Sequence, residues 1–154
     1  LGICFGFQLA ATAFGRNVLN LEDANSTEIK ADTKNPIVDL LPEQKDISDM
    51  GGSLRLGANE VVIQSQTNAE KIYNSTKINK RHRHRYEINK QYIPEFKKNG
   101  LIFSASSDDG KRMEMLEIPS HKFYIGVQFH PEFNSRPGFP EKVFSAFIKA
   151  SAEK

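Results

Sequence analysis

The stretch Leu1-Gly2-Ile3-Cys4-Phe5-Gly6-Phe7-Gln8 constrains this chain more than any other. It holds the only cysteine, with a glycine two positions away on each side. A strand that turns sharply into a helix presents a reactive side chain at its apex, and the turn crowds the backbone. The residues two before and two after the apex must then be small, and Gly2 and Gly6 fit. Phe7, Leu9, Ala10, Ala13 and Phe14 follow at helical spacing, ending at Gly15. A helix that begins just after Cys4 aims its N-terminal dipole and free N–H groups at the sulfur, which predicts a lowered thiol pKa. The Phe5 N–H is placed to donate to an oxyanion. The plainer alternative is a small buried cysteine, and the flanking glycines weigh against it.

The rest of the chain is read for what that thiol needs. Residues 16–36 are polar and predict a loop. Ile37 to Leu41 is a short strand candidate, followed by a charged connection. Ser53 to Gly57, behind Gly51-Gly52, suits a strand or a loop held between glycines, and Glu60 to Gln66 is a further strand candidate. Ala69 to Asn74 and Gln91 to Asn99 predict short helices, the second stopped by Gly100. Leu101 to Ser106 and Met113 to Ile118 flank Asp108-Asp109-Gly110 and predict a β-hairpin, its second strand alternating apolar and polar. Phe123 to Phe129 reads as a buried strand. A last helix spans about Pro140 to Ala152, with Val143, Phe144, Phe147 and Ile148 on one side.

Lys80-Arg81-His82-Arg83-His84-Arg85-Tyr86-Glu87 is the strongest local charge anomaly. On a strand, His82 and His84 share a face and could bind a metal, but no third ligand is placed nearby. The run is short and carries no interleaved aromatics, which disfavours nucleic acid. A pocket arginine, with the rest solvated or paired, fits better. Net charge is only +2, so no global field for nucleic acid is implied. No apolar run approaches the ~20 residues of a membrane span. One cysteine and no visible signal peptide predict a reducing, cytoplasmic setting. Only three residues precede Cys4, fewer than the roughly five of an ordinary strand. The chain is therefore expected to be a piece that begins just before the nucleophile.

In open α/β sheets, sites lie at the carboxyl ends of strands, where both Cys4 and His130 fall. Pro131 biases His130 toward an extended backbone, and extended residues two apart share a side, so Glu132 can reach the imidazole. Cys4 then acts as nucleophile, His130 as general base, and Glu132 fixes the tautomer. A His-Pro-Glu tripeptide is weak by itself. A lone cysteine in an elbow strengthens it.

Gly2-Ile3-Cys4-Phe5-Gly6-Phe7-Gln8 with Phe129-His130-Pro131-Glu132 resembles the class I (triad) glutamine amidotransferases, which release ammonia from glutamine through a glutamyl thioester. Arg16 to Leu19 running into Glu22 to Glu28, Met50-Gly51-Gly52 to Gly57, Arg81 to Glu87, and Gln128 to Pro137 are similar to the amidotransferase domain of the CTP synthase family. The resemblance covers nearly the whole chain. It implies an α/β fold, an open mixed sheet flanked by helices (flavodoxin-like), incomplete at its N-terminus. Residues 1–154 would be part of the glutaminase domain, with the synthetase domain outside this chain.

The implied activity is that of a ligase in pyrimidine biosynthesis: glutamine hydrolysis supplies ammonia for the ATP-dependent amination of UTP to CTP. The implied catalytic residues are Cys4, His130 and Glu132. Phe5, Gly6, Phe7 and Gln8 would line the glutamine site, Glu28 would accept from the α-ammonium group, and Arg85 would pair with the α-carboxylate. A zwitterion needs one anion and one cation at fixed separation, and a guanidinium fork suits a carboxylate. The resemblance implies no metal and no cofactor in this chain. It implies ATP, Mg²⁺ and UTP in the synthetase domain, and GTP as an allosteric activator sensed near Leu54 to Ala58. It also implies a homotetramer built through the other domain, with no nucleic-acid or membrane partner. The family takes a second oxyanion donor from a Gly-rich loop upstream of the nucleophile, which these residues do not contain, so the activity of the chain alone stays open. The alternatives are the amidotransferase part of another pathway, such as GMP or anthranilate synthesis, or an inactive interaction module of the same fold.

Overall fold

A computed structural model describes residues 1–41 and 54–153. The elements in order are β1 (Gly2–Ile3), α1 (Phe5–Asn17), β2 (Ala24–Ser26), β3 (Asn35–Asp39), β4 (Arg55–Ile63), α2 (Asn68–Tyr73), β5 (Lys77–His84) and β6 (Glu87–Ile88). A 3₁₀ turn at Lys90–Tyr92 leads into α3 (Ile93–Lys98), followed by β7 (Ile102–Ser107), β8 (Met113–Glu117) and β9 (Ile125–Val127). A second 3₁₀ turn, Pro131–Asn134, precedes α4 (Lys142–Ala152).

The strands form a six-stranded sheet in the order β1-β9-β8-β7-β4-β5 and a three-stranded sheet in the order β2-β3-β6. β1 runs parallel to β9, and the other neighbours in the larger sheet are antiparallel. In the smaller sheet, β2 and β3 are parallel while β3 and β6 are antiparallel. The sheet is thus open and mixed, as the sequence implied.

Two apolar clusters show why helices flank it. Phe7, Ala11 and Phe14 recur at i, i+4 and i+7 on α1 and join Phe96 of α3, Phe103 and Leu116 in one cluster. Ala69 and Tyr73 of α2 and Val143 of α4 join Val61, Met115 and Val127 in the other. Met115 and Leu116 are sequence neighbours on one strand and so feed opposite clusters. Phe7 and Phe96 are wholly buried, each contributing roughly 1.5–3 kcal/mol. Gly126 lets α1 approach the sheet, since a Cβ there would lie 3.1 Å from the Phe7 ring and 3.0 Å from Leu116. No helix among the described residues is long and apolar enough to cross a membrane.

Several expectations need correction. The polar segment 16–36 contains β2, which pairs with β3 rather than advertising itself through its own pattern. The two strand candidates around Gly57 and Val61 are one strand, β4. β9 is only three residues long, although Phe129 beyond it is still buried. β8 does not show a polar face to water, because Glu114 and Glu117 are both buried. Glu117 accepts from the N–H groups of Asn68 and Ala69 and caps α2, while Glu114 contacts Arg55 and His82. On α4, Val143 is buried but Ile148 is 64% exposed. Met50 to Ser53 and the charged connection before them lie outside the described residues, apart from Leu41 itself.

Candidate active site

Cys4 is the joint between β1 and α1. Its backbone has φ 49° and ψ −103°, a sparsely populated positive-φ conformation that costs a non-glycine residue roughly 1–3 kcal/mol. The Cys4 N–H donates to Val127 O at 2.8 Å, and the Cys4 carbonyl accepts from Phe7 and Gln8, so strand and helix hold the bend from both sides. A Cβ on Gly2 would lie 2.7 Å from the Gly6 carbonyl oxygen, so the elbow does demand glycine there. Gly6 is different: a Cβ built on it meets nothing within 4 Å. The crowding expected on both sides of the cysteine falls on Gly2 alone.

One cleft of about 470 Å³ is lined by Cys4, Phe5, Gln8, Glu28, Leu54, Arg83, His84, Arg85, Tyr86 and His130. Cys4, Phe5 and Gln8 come from the elbow and the first turn of α1, and Glu28 from the turn after β2. Arg83 and His84 end β5, and Arg85 and Tyr86 lie between β5 and β6. The alternation of β5 sends Lys80, His82 and His84 inward and Arg81 and Arg83 outward, which resolves the basic run residue by residue. Gly6 and Phe7 do not line this cleft. Gly6 borders a separate hollow beside Leu1 and Leu9, and the Phe7 ring packs edge-on against Phe103 in the core. Helical geometry forces this, because consecutive residues point about 100° apart.

His130 sits just beyond β9, and its N–H donates to Arg81 O at 2.9 Å. Its Nδ1 lies 2.7 Å from Glu132 Oε1. Glu132 reaches it from a 3₁₀ turn led by Pro131, not from an extended segment as the sequence suggested. A carboxylate on Nδ1 keeps the proton there and leaves Nε2 as the basic nitrogen.

The thiol departs from expectation. Burial pushes the Cys4 pKa above its usual value. That outweighs the Phe5 N–H, which acts in the opposite sense; the Glu132 and Glu28 carboxylates add to the rise and the Gln128 amide opposes it. The helix N-terminus therefore does not produce a resting thiolate. The S–H points to the Arg83 carbonyl oxygen at 3.8 Å, and a base is needed to remove its proton.

The sequence reading missed the polar atoms behind the thiol. Gln128 is fully buried, and its amide lies 3.8 Å from the sulfur. Gln8 donates to Tyr86 O at 3.0 Å and to Gln128 Oε1 at 3.1 Å. The available signal was an amide inside the apolar run Phe123 to Phe129. Both ring nitrogens of His82 have protein partners, whereas His84 Nε2 is buried without a hydrogen-bond partner. His82 Nε2 meets Glu114 at 2.7 Å and its Nδ1 meets Lys80 O, while His84 Nδ1 faces Tyr86 O. Among the described residues, no group of three His, Cys, Asp or Glu side chains is placed to hold a metal ion.

Comparison with known proteins shows the family and the fold. The family model "Glutamine amidotransferase class-I" matches residues 1–150. A CTP synthase from Archaeoglobus fulgidus is 54% identical over 151 residues, covering 98% of this chain and 28% of that protein. A CTP synthase from Staphylococcus saprophyticus is 55% identical over 150 residues, covering 97% and 28%. The chain thus spans little more than a quarter of the curated relatives it matches. The glutaminase domain of Trypanosoma brucei CTPS, solved with bound acivicin, superposes with a TM-score of 0.91 at 38% identity, over 99% of this chain and 60% of that one. A putative GMP synthase subunit from Thermoplasma acidophilum shares the fold alone, with a TM-score of 0.60 at 20% identity. The family match runs through almost the full length and not only through the elbow, and the chain belongs to the class-I glutamine amidotransferases.

Proposed function

We propose that this chain is the glutaminase part of a CTP synthase. The observation that carries the reading is the single cleft in which a thiol (Cys4), an imidazole (His130), a carboxylate (Glu28) and a guanidinium (Arg85) converge. The charged pair matches the two ends of an α-amino acid, and the thiol–imidazole pair matches an amide to be cleaved. His130 takes the thiol proton, and Cys4 Sγ attacks the side-chain amide carbon of glutamine. His130 returns the proton to the departing nitrogen, which leaves as ammonia. Water then attacks the thioester, giving glutamate and restoring the thiol. The Phe5 N–H, at the first position of α1, supplies one donor for the oxyanion.

Phe5, Gln8, Glu28 and Arg85 are the substrate contacts in this reading, with Gly6 and Phe7 serving the elbow and the core. Both N–H bonds of Gln8 are used, so it offers the cleft an oxygen. Ammonia would pass to a synthetase domain of the same polypeptide that binds UTP, ATP and Mg²⁺. Leu54, on the cleft wall, begins the segment assigned to GTP sensing. Tetramer formation through the other domain and a cytoplasmic location belong to the same reading. The relatives at 54–55% identity are CTP synthases, which favours UTP over the acceptors of GMP or anthranilate synthesis. A diazo-ketone analogue of glutamine tests the glutaminase part. One covalent adduct is expected, mapped to Cys4 by peptide mass, with glutamine slowing its formation. A folded protein that forms no adduct would overturn the reading in favour of an inactive module.

A further inference from the structure

Four residues form a polar chain ending at the nucleophile whose orientation can be worked out from one end. Tyr86 O is a backbone carbonyl and can only accept, so the Gln8 atom 3.0 Å from it is the amide nitrogen. That nitrogen also lies 3.1 Å from the Gln128 side chain, so the Gln128 atom facing it must be an acceptor, Oε1. The Gln128 nitrogen then faces the other way, 3.8 Å from Cys4 Sγ. The main chain is pinned as well, since Gln128 N–H donates to Glu114 O at 2.8 Å. Gln128 is 0% exposed and Gln8 3% exposed, so water does not compete for these bonds. A buried amide held this way cannot flip without stranding an N–H against an N–H, which costs the desolvation of both groups.

We propose that Gln128 is a nucleophile-holding residue, presenting a fixed N–H to Cys4 Sγ that favours the thiolate over the thiol, and at the same time locking the Gln8 amide on the cleft wall. This deepens the glutaminase reading and rests on it for its meaning in catalysis. The arrangement adds a side-chain donor to the Phe5 N–H that the helix N-terminus supplies. The sulfur is half-buried and near two carboxylates, Glu132 and Glu28, both of which disfavour a negative charge. Besides Phe5 N–H, the Gln128 amide is the neutral donor that opposes them. Arg83 places a carbonyl oxygen, an acceptor, against the sulfur, and His130 is the base in the proposed function. An N–H to a charged sulfur is a charge-assisted bond, stronger than one to a neutral thiol, so it strengthens as the reaction proceeds.

Alkylation by iodoacetamide, read by mass on the peptide that carries Cys4, reports on that thiol alone and requires no glutamine. The rate measured against pH gives the thiol midpoint for the native chain and for Gln128→Met, which keeps the length but lacks the N–H. The midpoint is expected to rise by about one pH unit, making alkylation at a fixed pH below it about tenfold slower. Gln8→Met/Gln128→Met removes both amides and leaves no buried N–H without an acceptor, so it carries the same test if the single variant fails to fold. An unchanged midpoint in either folded variant would overturn the proposal. Loss of fold in both would overturn it too, by assigning Gln128 to the core. Failure of the glutaminase reading would show separately, as absence of the diazo-ketone adduct with the alkylation shift intact.

Discussion

The molecule holds two histidine–glutamate pairs at the same separation. His130 Nδ1 and Glu132 Oε1 are 2.7 Å apart, and so are His82 Nε2 and Glu114 Oε2. Their surroundings differ. The His82 and Glu114 side chains are fully buried, and the second nitrogen of His82 is taken by Lys80 O while Glu114 also contacts Arg55. The His130 and Glu132 side chains are 22% and 48% exposed, and no protein partner among the described residues occupies His130 Nε2. Both His82 nitrogens face acceptors, the Lys80 carbonyl and the Glu114 carboxylate, and are committed to those contacts. His130 instead lines the cleft that Cys4 also lines. The same chemical pair is a buried strut in one place and, in the proposed function, a half-exposed proton acceptor in the other.

Breaking each pair should therefore move different observables. The largest effect is expected from His130→Ala, with glutamine hydrolysis in the full enzyme falling about 10²–10⁴-fold and the thermal melt unchanged. Loss of melting temperature with little loss of rate would reverse the assignment of the two pairs. Next comes Glu114→Ala, which leaves Arg55 and His82 facing an empty site. It should cost about 3–5 kcal/mol in a urea melt, with the rate per folded molecule largely kept. Glu132→Gln is expected to be milder than His130→Ala, because it keeps the imidazole and removes only the half-exposed carboxylate that orients it.

The smallest effect concerns the buried carboxylate next to the strut. Burial raises Glu87 to about 8 despite the Arg112 Nε at 3.3 Å, and burial lowers His84, 3.4 Å from Glu87, to about 3. Folded Glu87 holds its proton longer than the unfolded chain does, so its contribution is present below about 4.5 and is lost as pH rises through about 8. His84 acts in the opposite direction, with stability lost as pH falls from 6.5 toward about 3. The two slopes oppose each other between 4.5 and 6.5, and above 6.5 only Glu87 remains. Glu87→Gln should flatten the decline in melting temperature between pH 6.5 and 8, which melts across that range will show.

The elbow and the His-Pro-Glu segment were legible because their signals are local. A glycine two before the cysteine and a helical period after it each act within one turn of chain, and the short spacing of His130 and Glu132 keeps them in reach although Pro131 starts a 3₁₀ turn and not an extended segment. β2 was not legible, because Ala24-Asn25-Ser26 becomes a strand only through β3. The roles of Glu114 and Glu117 were hidden for a related reason. Alternation in β8 predicts solvated carboxylates, while their partners come from β4, β5 and α2 far along the chain. The thiol pKa was misjudged because a helix N-terminus is visible in a sequence and the burial opposing it is not. Gln128 escaped notice because its partners, Cys4 and Gln8, are more than a hundred residues away.

In the proposed function, Cys4 releases from glutamine the ammonia that a longer protein containing this chain uses elsewhere. Cys4→Ala in that protein, with CTP formation followed once with glutamine and once with ammonium chloride, tests it most directly. The glutamine-dependent rate should vanish and the ammonia-dependent rate should remain. Equal loss of both rates, or survival of the glutamine-dependent one, would contradict it.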